Sequence, residues 1–194
     1  VFWPRKETAF WVKKAIGEIK KSSSSPLLIL DIFSGSGCIG IAILKHLKSA
    51  KVDFVDIDKE AIEQIKINLK LNRFSPKRYR IFHSDLFEKL KQNRYHFIFA
   101  NPPYVAKERL NEVQKSVKEK EPKIAWYGGK EGLKVIKKFL KEAKNHLKEG
   151  GKIFMEIDPF QKEKIEKIAK KEGFSQIYFF KDQFKKTRWA KIEK

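Results

Sequence analysis

The tetrapeptide Asn101-Pro102-Pro103-Tyr104 closes the apolar run YHFIFAN and is rich in hydrogen-bond acceptors. Two consecutive prolines fix φ and remove two backbone donors, leaving carbonyl oxygens. The Asn101 side chain adds an amide oxygen. A planar NH2 group carries two donors, and this motif offers two acceptors to hold it. Tyr104 supplies an aromatic face on which a planar group can stack. The chemistry implied is a reaction at an amide or amine nitrogen. A plain proline turn at a strand end fits this tetrapeptide less well.

A second segment, Asp31-Ile32-Phe33-Ser34-Gly35-Ser36-Gly37-Cys38-Ile39-Gly40, joins an apolar run to an apolar helical stretch. Glycines there adopt positive φ and let backbone N–H groups approach a ligand closely. Asp56 ends the next apolar run, the usual place for an acid that binds ribose hydroxyls. Gly35, Gly37 and Gly40 match G-x-G-x-x-G, so a dinucleotide is one reading. Asp31 and the downstream Asn-Pro-Pro-Tyr, which a dinucleotide does not require, favour S-adenosylmethionine. The candidate cofactor residues are Asp31, Phe33, Ser34, Gly35, Ser36, Gly37, Asp56, Ile57, Asp85, Leu86 and Asn101. Asp85, in HSDLF, either accepts from an adenine amino group or caps the following helix. Cys38 opens a helix, where a thiol pKa can fall; a small packing residue is the expectation.

These residues need a scaffold. Helical spacing marks residues 8–21; SSSSP (22–26) is a loop, and PLLILDIF a strand buried on both faces. The helix CIGIAILKHLK, the strand KVDFVDI and the helix DKEAIEQIKINLKLN follow, with Asp58 as N-cap. YRIFHSD and YHFIFAN are strands, and Val105 to about Glu131 is a long polar connection of a kind that is uncommon without function. GLKVIKKFLKEAKNHLK reads as a helix ending at Gly150-Gly151. KIFMEID is a strand, QKEKIEKIAKKE a helix stopped by Gly173, and FSQIYFFKD with KKTRWAKIE a closing hairpin. The alternation predicts an α/β fold: a seven-stranded, mostly parallel sheet with one antiparallel strand. The expected organisation is one domain over 1–194, with an N-terminal helix and linker (1–25) and a Rossmann-like core (26–194).

The net charge is +20. It admits a nucleic-acid or ribosomal partner, although lysines are spread along the chain and helix faces such as KKFLKEAKNHLKEG would carry many of them. No apolar run has the length of a membrane span, and no signal peptide is read at the N-terminus. A cytoplasmic protein without membrane contact is expected. One cysteine excludes an internal disulfide, and four scattered histidines give no metal-ligand spacing, so no metal is expected.

Three further segments carry a resemblance. Pro4-Arg5-Lys6-Glu7-Thr8 resembles the P-R-P-E-T segment of the HemK/PrmC class, the glutamine methyltransferases of translation release factors. Glu121-Pro122-Lys123-Ile124-Ala125 with Gly128-Gly129-Lys130-Glu131-Gly132-Leu133 resembles that family's E-P-x-x-A-L-x-G-G-x-x-G-L. Asp56-Ile57-Asp58 through Ala61 to Asn68 resembles its D-I-S…A-L…N pattern. Phe33 stands where the family has Gly, Lys6 replaces the second proline, and His96 an Asp. The resemblance implies a class I S-adenosylmethionine-dependent methyltransferase fold. It also implies methylation of the glutamine in the Gly-Gly-Gln tripeptide of a release factor, the expected protein partner. Asn101, Pro102, Pro103 and Tyr104 are then the catalytic set. No general base is assigned; Arg5, Glu7 and Thr8 are candidates for cofactor or lid contacts, or Thr8 for a helix cap. The chain opens with Val1, and the family's helical N-terminal domain is expected to be missing from it. A glutamine of a ribosomal protein and an exocyclic amine of adenine or guanine are alternative acceptors. A non-catalytic nucleotide-binding module is the reading from another class.

Overall fold

The computed structural model describes residues 5–22, 26–92 and 94–194. Pro4 of the Pro4–Thr8 segment and residues 23–25 of the linker lie outside them. The helices are α1 (Lys6–Ser22), α2 (Cys38–His46), α3 (Lys59–Leu71), α4 (Lys115–Lys120), α5 (Lys134–Ala143) and α6 (Lys162–Lys171). The strands are β1 (Leu28–Ile32), β2 (Lys51–Asp56), β3 (Tyr79–His83), β4 (Tyr95–Ala100), β5 (Val105–Ala106), β6 (Tyr127–Gly129), β7 (Leu147–Glu156), β8 (Gln176–Lys181) and β9 (Thr187–Glu193).

Seven strands form one sheet in the order β3-β2-β1-β4-β7-β9-β8. β1, β2, β3, β4 and β7 run parallel, and β9 is antiparallel to both neighbours. The terminal hairpin thus supplies the single reversed strand, as the sequence predicts. The chain steps outward from β1 to β3 and returns to β4 on the other side of β1. Such a reversal opens a crevice beyond the carboxyl ends of the two central strands. Gly35 and Asn101 follow directly on those ends.

The strands are apolar on both sides because helices cover both faces. Ile29, Phe54, Phe97 and Phe99 pack with Trp11 and Ile16 of α1, Ile43 of α2 and Ile65 of α3. Leu30, Ile32, Val55 and Ile98 face the other way, onto Phe139 and Leu140 of α5 and Ile165 of α6. Gly40 allows α2 to lie this close: a Cβ there would sit 2.2 Å from the Phe54 ring. Asp58 caps α3 as expected, accepting from the Glu60 N–H at 2.9 Å.

Two expectations change. The helix predicted through Lys148 ends at Ala143, and Gly150-Gly151 does not cap it. Leu147 already pairs with Tyr95 of β4, and the register then jumps so that Lys152 meets Phe97. The glycines occupy that bulge, Gly150 at φ +67°. The long connection from Val105 is also not unstructured. It holds 3-10 turns, α4 and a small parallel pair, β5 with β6. Polar sequence hid these elements because their partners are remote in the chain.

Candidate active site

One cleft, about 870 Å³ counted to its open mouth, lies over the ends of β1, β2 and β3. Phe33, Gly35, Asp56, Ile57, Asp85, Leu86 and Asn101 line it. Asp56 turns its carboxylate into the loop: Oδ2 accepts from the Gly35 N–H at 2.8 Å and Oδ1 from the Asp58 N–H at 2.9 Å. A carboxylate offers about four lone-pair sites, so Asp56 keeps acceptor capacity for a ligand. A ribose diol donates two hydrogen bonds, and this acceptor set fits it. Burial pushes the Asp56 carboxyl up, against the opposing pull of the Asp58 and Gly35 N–H groups. Asp85 lines the same wall at the end of β3, and its Oδ2 accepts from Lys138 Nζ at 2.7 Å. Its side chain caps no helix, because turns follow it.

The remaining loop residues support the cleft from beneath. Asp31 is fully buried and accepts from the Gly40 N–H at 2.8 Å through Oδ2. Burial holds it well above the usual carboxylate range. Ser34 Oγ donates to the Asp31 carbonyl at 2.7 Å and accepts from the Val55 N–H at 2.9 Å, tying the loop to β2. Gly37 precedes α2 at φ +76°. Ser36 accepts from the Asn68 side chain through its carbonyl at 2.8 Å. Asp31, Ser34, Ser36 and Gly37 lie outside the lining of this cleft and shape the loop that borders it. Phe33 takes the left-handed conformation at φ +60°, which explains a glycine at this position in the resembling family. Its ring packs edge-on against Phe139 at 5.6 Å. Burial raises the Cys38 thiol to about 11, so the helix N-terminus does not activate it.

A second cleft lies on the other side of Asn101. Arg5, Pro102, Tyr104, Arg109, Val113 and Trp126 are among its lining residues, and Asn101 and Ala125 belong to both walls. Among the described residues, nothing donates to the Pro102 carbonyl, whereas the Tyr104 carbonyl accepts from Gln161 Nε2 at 2.9 Å. The glycine segment 128–132 wraps the back of the tetrapeptide. A Cβ on Gly128 would stand 2.6 Å from the Pro103 carbonyl oxygen, and one on Gly132 would stand 2.0 Å from that of Tyr104. The glycines therefore hold the motif by close backbone contact.

The terminal segments reach the same place. Thr8 lies inside α1 and does not cap it; its hydroxyl donates to the buried Glu156. Arg5 pairs with Glu121, so the first resembling segment meets the Glu121–Ala125 segment in space. Lys6 is the first residue of α1, the position where a proline is well tolerated. Neither Arg5 nor Thr8 lines the first cleft. Glu156 is the residue that sequence reading missed. It ends β7, and its only signal is an acid at the end of the apolar run KIFMEID.

The methyltransferase small domain family matches residues 19–121. The chain is 33% identical over 182 residues to a release factor glutamine methyltransferase of Thermodesulfovibrio yellowstonii, covering 94% of this chain and 64% of that protein. It is 31% identical over 194 residues to one of Lactococcus lactis, covering all of this chain and 69% of the relative. It therefore spans less than two thirds of the first relative's length. Its fold is similar to a T. thermophilus 16S rRNA N2 methyltransferase solved with AdoMet and guanosine, at TM-score 0.71 and 18% identity. That alignment covers 99% of this chain and 44% of the other.

Proposed function

We propose that this chain, which belongs to the release factor glutamine methyltransferase family and carries its methyltransferase small domain, methylates the side-chain amide nitrogen of a glutamine in a translation release factor. S-adenosylmethionine, the cofactor of this methyltransferase family, supplies an electrophilic methyl group on sulfur. The observation that carries the reading is that Asn101 lines two clefts at once. Asp56, Asp85 and the loop at Gly35 hold the donor on one side, and Asn101, Pro102 and Tyr104 hold the acceptor on the other.

An amide nitrogen is a poor nucleophile because its lone pair is delocalised. The Asn101 amide oxygen and the Pro102 carbonyl accept from its two N–H groups, fix its plane and raise electron density on nitrogen. Asn101 and Pro102 would hold this nitrogen for methyl transfer from the bound cofactor, which would leave as the thioether, and the nitrogen would release one proton to solvent. Positioning is the main catalytic contribution, and well-oriented reactants recover roughly 7–11 kcal/mol of barrier.

An exocyclic base amine satisfies the same two acceptors, and the charge of +20 favours it. The acceptor-side cleft argues the other way. Its two arginines, Arg5 and Arg109, are already matched by Glu121, Glu112 and Asp158. Phosphate recognition needs uncompensated cations. Labelled-methyl transfer from S-adenosylmethionine to a release factor, a ribosomal protein and ribosomal RNA in parallel tests the choice. Labelling of RNA alone would overturn the release-factor reading, and labelling of the ribosomal protein alone would move the acceptor to that glutamine.

A further inference from the structure

Glu156 is about 1% exposed and accepts from three donors on two remote segments. Oε2 takes the Thr8 hydroxyl at 2.6 Å and the Trp11 indole N–H at 2.8 Å, both from α1. Oε1 takes the Tyr104 hydroxyl at 3.2 Å. Trp11 is itself wedged between Phe99 and Trp189, with ring centroids at 6.0 and 6.2 Å. The carboxylate is thus held rigidly on one oxygen and presents the other to the acceptor motif.

We propose that Glu156 is a positioning residue for the acceptor, fixing the Tyr104 ring through its hydroxyl and keying α1 to the acceptor-side cleft. The inference rests on the methyl-transfer reading given above. A carboxylate suits the position because every neighbouring group points a donor at it. The indole N–H of Trp11 can only donate, so the oxygen that faces α1 cannot be exchanged for a donor. The other oxygen sets the direction of the Tyr104 O–H. With that proton committed to Glu156, the ring has one preferred placement along the cleft wall.

Glu156→Gln makes the test sharp. Its one amide oxygen must serve Thr8 and Trp11, so its NH2 turns toward Tyr104. The Tyr104 oxygen then accepts, and its own proton loses its buried partner. Single-turnover transfer to a release factor should fall roughly tenfold, while cofactor affinity stays within about twofold. In a Tyr104→Phe background the same substitution should cost little more, since the hydroxyl it acts through is gone. Thr8→Val, a smaller change, should shift transfer in the same direction by a few-fold and should also lose its effect with Tyr104→Phe. An equal loss in both backgrounds would make Glu156 merely structural and overturn the proposal, as would no loss at all. If Glu156→Gln fails to bind cofactor, the Thr8→Val pair decides on the same criteria. The carbon-labelled Tyr104 ring resonance, assigned with Tyr104→Phe, should move in both variants. If the wild-type chain methylates no release factor, the functional reading fails, and that resonance still reports whether Glu156 governs Tyr104.

Discussion

The two clefts that share Asn101 are built differently. The cofactor-side cleft is floored by the ends of three adjacent parallel strands, β1, β2 and β3, whose positions the sheet fixes, and Asn101, Pro103, Ile124, Ala125, Tyr127 and Val135 complete it. Its key contact, Gly35 N–H to Asp56, joins neighbouring strand ends. The acceptor-side cleft takes Arg5 just ahead of α1, the tetrapeptide, the 105–126 segment and Asp158. It is held by long-range contacts: Arg5 with Glu121, Thr8 with Glu156, and Gln161 with the Tyr104 carbonyl. One wall is set by secondary structure and the other by side-chain ties between remote segments. Damage on the first side should therefore appear as lost cofactor affinity, and damage on the second as lost transfer.

Asn101 belongs to both walls and gives the largest expected effect. Asn101→Ala removes the acceptor proposed for the attacking nitrogen but leaves the Gly35 loop and Asp56 intact. Loss of one preorganised contact at a reacting centre costs roughly 10²–10³ in rate. Single-turnover transfer should fall by that order while calorimetry records a modest change in cofactor affinity. Near-normal transfer by the folded variant would make the motif structural. Gly132→Ala comes next and strikes the acceptor side alone. Gly132 sits at φ +67°, and a Cβ would run into the Tyr104 carbonyl. The tetrapeptide has to shift, so transfer should drop at least tenfold with cofactor binding retained; a melting curve checks that the fold survives.

Asp56→Ala is the matching probe of the other side. It removes the acceptors proposed for the ribose hydroxyls and releases the Gly35 and Asp58 N–H groups. Hydrogen bonds to a charged group contribute roughly 1.5–3 kcal/mol, so cofactor affinity should weaken about tenfold or more. Transfer at saturating cofactor should recover most of its rate. If saturation restores nothing, the division of labour between the clefts is wrong.

The same contrast decides what the sequence reveals. Alternating apolar strands and helices expose the sheet, its order of elements and the strand-end residues Gly35, Asp56, Asp85 and Asn101, because each is marked by local periodicity. The bulge at Gly150-Gly151 escapes it, since two glycines after a helical pattern are also a normal helix stop. Thr8 looks like a helix cap because nothing local reveals its partner 148 residues away. Glu156 carries no motif at all. The resembling segments around Arg5, Glu121 and Gly132 are far apart in the chain, and the structure brings them together around the tetrapeptide.

Arg109 gives the smallest expected effect and the finest test of the comparison. It bridges Glu112 and Asp158, the latter at 2.7 Å, and lies 4.4 Å over the exposed Phe160 ring. It lines only the acceptor-side cleft and its outer rim. Glu112 pulls the guanidinium pKa up, so Arg109 stays charged at any working pH. Pairs this open to solvent contribute little, at most about a factor of five each. Arg109→Ala should therefore leave cofactor affinity unchanged and raise the acceptor KM by up to about fivefold, with kcat nearly constant. The difference should shrink as salt is added, because exposed charges are screened beyond roughly 10 Å at moderate ionic strength. A change in cofactor affinity of the same size would mean that the 105–126 segment, whose Ile124 and Ala125 also line the first cleft, carries the disturbance across, and that the two clefts move as one.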